Sequence, residues 1–234
     1  MRETALDPFT AQSQTETAEI DVIAAQALTE PQALAWDKMG GLMPVVVQDS
    51  DTLQVLMLGY MNHSALLETF RTGLLTFYSR SRQRLWTKGE TTGHNLQLVE
   101  LTPDCDNDCL LATVKPAGPV CHRHTTSCFG SQDAPGLGLL ARLVQVIQHR
   151  QHTRPSDSYT VELMNAGTNR IAQKIGEEGV EVALAAVAQS ANELNNEIAD
   201  LIYHLLVMLC HKEIPFSDCL EIMRQRLQDY AHKG

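Results

Sequence analysis

The residues with the most chemistry to offer form a run, Asp104-Cys105-Asp106-Asn107-Asp108, followed by Cys121-His122 and then Ser127-Cys128. Three carboxylates and one thiol fall within five residues, and two more thiols follow, sixteen and then seven residues further on. Hard carboxylate oxygens suit Mg2+ and soft thiolates suit Zn2+. A chain that interleaves both donor types can hold two different metals side by side, a catalytic arrangement more readily than a structural one. Alternating Asp alone is a weak signal, because acidic turns are common. An EF-hand loop needs Gly at its sixth position and Glu at its twelfth; Cys109 and Lys115 stand there, so that reading fails. A structural zinc knot usually has four protein ligands in closely spaced pairs. The thiols here are unevenly spaced, and a closed site requires Cys109 or His124 as its fourth ligand. That alternative, and buried cysteines holding no metal, stay open on the residues alone.

A second constellation lies further along. Glu178-x-x-Glu181 and Glu197-x-x-Asp200 each place two carboxylates at i and i+3, on one face of a helix. If those helices pack antiparallel, four oxygen donors converge, and their mutual repulsion calls for a cation such as Mg2+. Two solvated acidic faces are the bland alternative. Val180, Val182 and Leu184, with Ile198, Leu201, Ile202 and Leu205, surround the acids with apolar residues and place them at the edge of a core.

The elements that must position these groups change character near Gly130. Before it, Val45-Val46-Val47 and Leu53 to Leu58 flank Gln48-Asp-Ser-Asp-Thr52, a hairpin signal. Asn62 caps a short helix from His63 to Thr72, closed by Gly73. Leu74 to Ser79, Leu96 to Leu101 and Leu110 to Val114 read as further strands. Gly130 to Gly136 carries breakers and polar residues, the mark of a linker. Beyond it Leu137, Leu140, Leu143, Val144 and Ile147 follow one helical stripe. Val180 to Ala191 and Leu194 to Lys212 read as helices, and Ser217 caps a last one to about His232. Cys210 and Cys219, on apolar helical stretches, read as packing residues.

The run Trp86-Thr-Lys88-Gly89-Glu90-Thr-Thr-Gly93-His94, then Asp104-Cys-Asp-Asn-Asp108, Cys121-His122 and Ser127-Cys128-Phe129, resembles phosphoribosyl-AMP cyclohydrolase of histidine biosynthesis over roughly residues 30–130. The chain departs from that pattern at Arg123-His124, where Thr-Gly is commoner, and at Cys109, where a small apolar residue is usual. Lys174-Ile-Gly-Glu177-Glu178-Gly-Val-Glu181, with Glu197-Ile-Ala-Asp200-Leu-Ile-Tyr203-His204, resembles phosphoribosyl-ATP pyrophosphohydrolase over about residues 137–234. That family is an all-α relative of the MazG-type nucleotide pyrophosphohydrolases, and Pro155-Ser-Asp-Ser-Tyr159-Thr fits it too. One domain directly after the other resembles the bifunctional enzyme of two consecutive steps.

The resemblance implies two domains: an N-terminal α+β, β-rich cyclohydrolase domain at 28–129 and a C-terminal all-α MazG-like helical domain at 137–234. An acidic tail at 1–27 and a linker at 130–136 complete the chain. It implies hydrolysis of phosphoribosyl-ATP to phosphoribosyl-AMP and pyrophosphate, with Mg2+ on Glu178, Glu181, Glu197 and Asp200 and with Glu177 or Lys174 assisting. It then implies hydrolytic opening of the adenine ring at N1–C6, with Zn2+ on Cys105, Cys121 and Cys128 and Mg2+ on Asp104, Asp106 and Asp108. His122 is the candidate for proton transfer, since imidazole titrates near neutral pH; its alternative is a zinc ligand or a group behind one. Trp86, Lys88, Gly89, Glu90, Gly93 and His94 are the implied substrate contacts, with packing roles for Trp86 and His94 as the alternative. Arg80, Arg82 and Arg84, alternating along a strand, read as a solvated face. The family is a homodimer with zinc ligands from both subunits, which the resemblance carries over.

Composition agrees with an enzyme. A chain of 234 residues can bury two modest cores. A formal charge of −10 argues against non-specific nucleic-acid binding and leaves anionic substrates to be met by metals and local cations. Six cysteines at this length fit a reducing compartment, hence a cytoplasmic location, rather than a disulfide scaffold. No run reaches ~18 apolar residues, so no membrane span is expected. Six acids against one Arg in the first thirty residues argue against a signal or transit peptide. Two other classes remain: a nucleotide sensor without turnover, and a house-cleaning pyrophosphatase with an accessory N-terminal half. The latter leaves Trp86–His94 and the acid-and-thiol run unexplained. A zinc nucleoside deaminase expects Pro-Cys-x-x-Cys beside its His-x-Glu, a pairing this chain lacks.

Overall fold

The computed structural model describes residues 34–130, 134 and 136–231. The expected tail at 1–27, and residues 131–133 and 135 of the expected linker, lie outside the described residues. The chain divides into two compact units after Leu139.

The first unit runs β1 (Met43–Asp49), β2 (Val55–Met61), α1 (His63–Thr72), β3 (Thr76–Ser79), β4 (Arg84–Thr87), β5 (Leu96–Pro103) and β6 (Leu110–Pro116). Four strands form a mixed sheet in the order β2-β1-β6-β5, with β1 parallel to β6 and the other neighbours antiparallel; β3 and β4 form a separate hairpin. Strand β1 alternates strictly, with Met43, Val45 and Val47 buried and the residues between them half-buried. That period of two puts one face of the sheet on a core, completed by Leu56, Met61, Leu75, Phe77, Leu96 and Leu110.

Helix α1 matches its expected bounds. The Asn62 side chain accepts from the Ala65 N–H at 2.9 Å, and Gly73, at φ 68°, closes the last turn on the Thr69 carbonyl. Two strands begin later than expected. At the β1–β2 turn the Asp49 carboxylate accepts from the N–H groups of Asp51 and Thr52, and Leu53 is left-handed at φ 58°, so β2 starts at Val55 rather than Leu53. Leu74 makes only an isolated bridge to Gln97, its carbonyl taken by the Thr72 and Thr76 hydroxyls, and β3 starts at Thr76.

The second unit is helical: α2 (Gly138–Thr153), α3 (Tyr159–Ala166), α4 (Thr168–Ala188), α5 (Ala191–His211) and α6 (Phe216–Ala231). Ile147, Leu163, Ile171, Leu206, Val207 and Cys210 make its core, which gives Cys210 its expected packing role. Helix α4 starts twelve residues before the expected Val180 and ends three before Ala191. Its Gly176 and Gly179 each cost about 1 kcal/mol relative to Ala, offset by burial of Ile171 and Ala185. Its end is set by Ser190, which caps α5 instead: the Ser190 hydroxyl accepts from the Glu193 N–H, and the Glu193 carboxylate accepts from the Ser190 N–H at 2.8 Å. Helix α6 starts at Phe216, so Ser217 lies in its first turn and is not the cap.

Candidate active sites

The acidic run is the connection between β5 and β6. The strands end at Pro103 and resume at Leu110, so the ladder fixes both ends of a six-residue loop. One Asp104 oxygen accepts from the N–H groups of Asp108 and Cys109 at 2.9 and 3.1 Å, while Asn107 turns the chain at φ 60°. This folding brings one oxygen each of Asp104, Asp106 and Asp108 within 4.8 Å of one another. An octahedral cation with oxygens at about 2.1 Å spaces its ligands about 3–4 Å apart, so the donor set fits Mg2+ after small rotamer changes. Sequence spacing gave no sign of Lys38, whose ammonium contacts Asp108 and lies 2.6 Å from Asp106. It holds the Asp106 carboxyl below the usual range. The Ala35 N–H donates to the Asn107 carbonyl at 2.8 Å, tying this segment to the loop.

The thiols are positioned by a second loop. The Cys121 N–H donates to the Thr125 carbonyl and the His124 N–H to the Cys121 carbonyl, both at 3.0 Å, with His124 left-handed at φ 61°. Buried Ser127 donates to the Val55 carbonyl at 2.8 Å, and the Cys128 N–H to that of Leu56 at 2.7 Å, pinning the loop to β2. Cys121 and Cys128 are close enough to alter each other's protonation. The Arg123 backbone N–H and the Thr125 hydroxyl hold Cys121 below the ordinary thiol value, whereas burial and then Cys121 push Cys128 up. Cys105 does not join them: among the described residues no set of Cys105, Cys121 and Cys128 sulfurs lies within 4.8 Å. Zinc–sulfur bonds of about 2.3 Å require the three to lie within about 4 Å, so one chain does not close the expected three-thiolate site. Of the outside candidates, Cys109 turns to the Leu110 carbonyl, and burial raises its pKa. His122 Nδ1 stands 3.9 Å from Cys121 Sγ.

A cavity of about 500 Å3 gathers the remaining residues of the first unit, among them Trp86, Lys88, Glu90, His94, Cys121 and His122. Trp86 packs on Phe77 with ring centroids 5.7 Å apart and also lines the cavity. Gly89, at φ 86°, is obligatory, since a Cβ would sit 2.4 Å from the His94 carbonyl carbon. Gly118, not anticipated, lets the His94 ring lie flat against the chain, where a Cβ would meet it at 2.7 Å. Gly93 closes the same turn, its N–H donating to the Gly89 carbonyl at 2.8 Å. Arg82 and Arg84 are exposed, as the solvated-face expectation has it, and they also stand at the edge of the cavity.

In the helical unit, α4 and α5 are joined by Gln189 and Ser190 alone and pack along each other as an antiparallel hairpin. Oxygens of Glu178, Glu197 and Asp200 lie within 4.8 Å of one another, so this set also fits a Mg2+-sized ion. Glu178 is buried at 4 % exposure. Lys174 Nζ stands 2.6 Å from it and holds its carboxyl below the usual range. Glu181 stays outside the trio but hydrogen-bonds Glu178, which pushes the Glu181 carboxyl up. Glu177 stays outside the trio, engaged by Lys174, Gln173 and Arg170, the first two lowering its pKa most. His204 Nδ1 donates to the Asp200 carbonyl at 2.8 Å and Tyr159 reaches its Nε2 at 3.4 Å, so the Tyr159 segment braces the acids from behind. The apolar neighbours do not behave as expected. Val180 and Leu184 are 59 % and 58 % exposed, because they occupy the outward side of α4.

A family model described as phosphoribosyl-AMP cyclohydrolase matches residues 57–130, and one described as phosphoribosyl-ATP pyrophosphohydrolase matches residues 140–227. The chain is 50 % identical to the histidine biosynthesis bifunctional protein HisIE of Salmonella typhimurium, over 86 % of this chain and all of that protein. It is 51 % identical to the protein of that name from Escherichia coli strain K12 over the same shares. The Xylella fastidiosa protein is 53 % identical over 82 % of this chain and 92 % of its own.

Proposed function

The chain belongs to the family that joins phosphoribosyl-AMP cyclohydrolase to phosphoribosyl-ATP pyrophosphohydrolase in histidine biosynthesis, and from that premise we propose how its residues divide the work. The protein is a bifunctional, metal-dependent hydrolase of nucleotide substrates. It releases pyrophosphate from phosphoribosyl-ATP and then opens the adenine ring of phosphoribosyl-AMP at N1–C6. The observation that carries the division of labour is the pairing of two separate donor sets, a helical carboxylate trio and an acid-and-thiol set on the β-rich unit.

In the helical half, Glu178, Glu197 and Asp200, with Glu181 beside them, hold Mg2+. An ion held there would supply positive charge against the polyphosphate. Lys174 balances Glu178 and faces the incoming phosphates. Glu177, kept ionised by its three partners, serves as an acceptor that orients water rather than as a strong base.

In the N-terminal half, Asp104, Asp106 and Asp108 would hold Mg2+, and Cys105, Cys121 and Cys128, drawn together between two copies, would hold Zn2+. Zinc supplies a Lewis acid that lowers the pKa of water to about 7. His122, on the cavity wall, carries the proton between the attacking water and the ring nitrogen. Trp86 presents its face to the adenine, braced from behind by Phe77. Lys88 meets a phosphate, His94 contacts the base, and the Gly89–Gly93 turn with Glu90 shapes the wall.

A homodimer completes the zinc set, the second copy bringing Cys105 to Cys121 and Cys128. The separation of Cys105 from the other thiols supports this, as do large apolar side chains left open on the helices, such as Leu227 at 69 % exposure. The thiol-rich donor set suits the reducing cytoplasm. Mixing subunits tests the arrangement. Cys105→Ser and Cys128→Ser are each expected to abolish ring opening alone. When the two are unfolded and refolded together, activity returns to about a quarter of wild type, since half of random dimers are mixed and each has one intact site of two. A mixture that stays inactive shows that all three thiols act within one chain.

A further inference from the structure

The three alternating arginines, Arg80, Arg82 and Arg84, meet three different fates. The Arg80 guanidinium lies over the Tyr60 ring at 3.9 Å. Arg84 pairs with Glu90 at 3.0 Å and donates to the Leu85 carbonyl. Arg82 has no ion-pair partner among the described residues, and it lines the cavity that holds Trp86, Lys88 and His122. Glu90, the one carboxylate on that wall among the described residues, is already neutralised by Arg84. Two cations, Arg82 and Lys88, are therefore left without a carboxylate partner among the described residues over one cavity, Lys88 with its ammonium 5.7 Å from the Trp86 ring centre, in a chain of net charge −10.

The turn that carries Arg82 is braced. Its N–H donates to the Ser79 hydroxyl at 3.3 Å, and Gln83, left-handed at φ 51°, donates from its side chain to the Arg80 carbonyl at 2.7 Å. The Tyr78 hydroxyl donates to Gln83 at 3.0 Å, locking the turn to β3. The side chain is long, but its base is fixed.

We infer that Arg82 is a phosphate-recognition residue of this cavity, with a phosphomonoester dianion of the nucleotide as its ligand. The inference rests on the cyclohydrolase reading of the cavity. Phosphoribosyl-AMP carries two phosphomonoesters, one on each ribose, and Lys88 as a point charge serves one of them. A guanidinium presents a planar fork of donors matched to phosphate oxygens, which suits Arg82 to the other. Arg80 and Arg84, already committed, hold structure instead.

The test compares Arg82→Gln, Arg82→Lys and, as a control, Arg80→Gln in full-length protein, measuring kcat and KM for phosphoribosyl-AMP and competitive inhibition by AMP. Arg82→Gln is expected to raise KM about ten- to a hundredfold, the value of lost charge-assisted hydrogen bonds, with kcat within about threefold of wild type. AMP inhibition weakens alongside if AMP uses the same phosphate position. Arg82→Lys recovers part of the loss, and Arg80→Gln leaves KM near wild type. An unchanged KM in Arg82→Gln, or a fall confined to kcat, overturns the inference while leaving the cyclohydrolase reading intact. A wild-type protein that neither opens phosphoribosyl-AMP nor is inhibited by AMP overturns that reading as well.

Discussion

Replacing Lys174 with Met removes the ammonium that balances Glu178. Lys174 Nζ lies 2.6 Å from Glu178 and 3.1 Å from Glu177, and Glu178 is surrounded by Glu181, Glu197 and Asp200. Methionine keeps the apolar stem and the helix propensity, so the change is one of charge. At a separation near 4 Å and an effective dielectric of about 20, each like-charge neighbour acts on Glu178 with about 4 kcal/mol before screening. Removing one partner of a dry buried pair costs about 3–5 kcal/mol. Asp200 and Glu181 are open to water here, so about 2 kcal/mol is the expected loss of stability at pH 7 in EDTA. The sign of the pH dependence follows from Glu178, whose pKa is depressed in the folded state by Lys174. Its contribution is full above the ordinary carboxylate pKa of about 4.3 and vanishes as pH falls through the depressed value. The gap between wild type and Lys174→Met should therefore be widest near neutrality and close in acid. Excess Mg2+ should narrow it at pH 7. Trp36 and Trp86 both lie in the first unit, so circular dichroism at the helical band follows the loss while tryptophan fluorescence serves as the internal control. Equal stability of the two proteins at pH 7, or a fluorescence transition that moves just as far, refutes the reasoning.

Asp200→Asn, at an exposed position, should leave the fold intact, weaken Mg2+ binding at least about tenfold and stop pyrophosphate release, while supplied phosphoribosyl-AMP is still opened; titration calorimetry with Mg2+ and the two rate assays check this. His122→Asn should keep its zinc by metal analysis yet lose about 10²–10⁴ in ring-opening rate, the usual value of a proton-transfer group; loss of zinc makes His122 a ligand instead. His124→Gly should stabilise the first unit by about 0.5–1 kcal/mol in urea unfolding followed by fluorescence, because His124 holds a left-handed φ of 61° that glycine adopts without strain; a lower midpoint shows that the ring makes contacts worth more than the strain.

Much of the fold was legible because it is written in local rules. The Asn62 cap and the Gly73 stop bound α1 to the residue, and the alternation in β1 named its inward face. The helical hairpin and its convergent carboxylates followed from two i, i+3 pairs and a short connection. What was not legible depends on contacts between distant segments. Lys38 reaches the acidic loop from 68 residues away in sequence, and no spacing rule ties an ammonium to that loop. Gly118 matters only because the His94 ring lies on it. Arg82 and Arg84 are solvated as their alternation implies, but alternation along a strand does not show that a cavity opens beside them. Cys105 illustrates a further limit: spacing along one chain names ligands but cannot say that they meet within that chain. The apolar residues around the helical acids were read as core by the same reasoning, since a partner surface and a core share one composition.

The central claim is that one chain carries two independent hydrolytic sites, the first making the substrate of the second. Its most direct test is the product mixture formed from phosphoribosyl-ATP by the Cys128→Ser protein, resolved by mass. Phosphoribosyl-AMP and pyrophosphate are expected to accumulate in equal amounts with no ring-opened product, while wild type passes the nucleotide through to the opened form. Ring-opened product at the wild-type rate, or phosphoribosyl-ATP left uncleaved by a folded Cys128→Ser protein, would contradict the account.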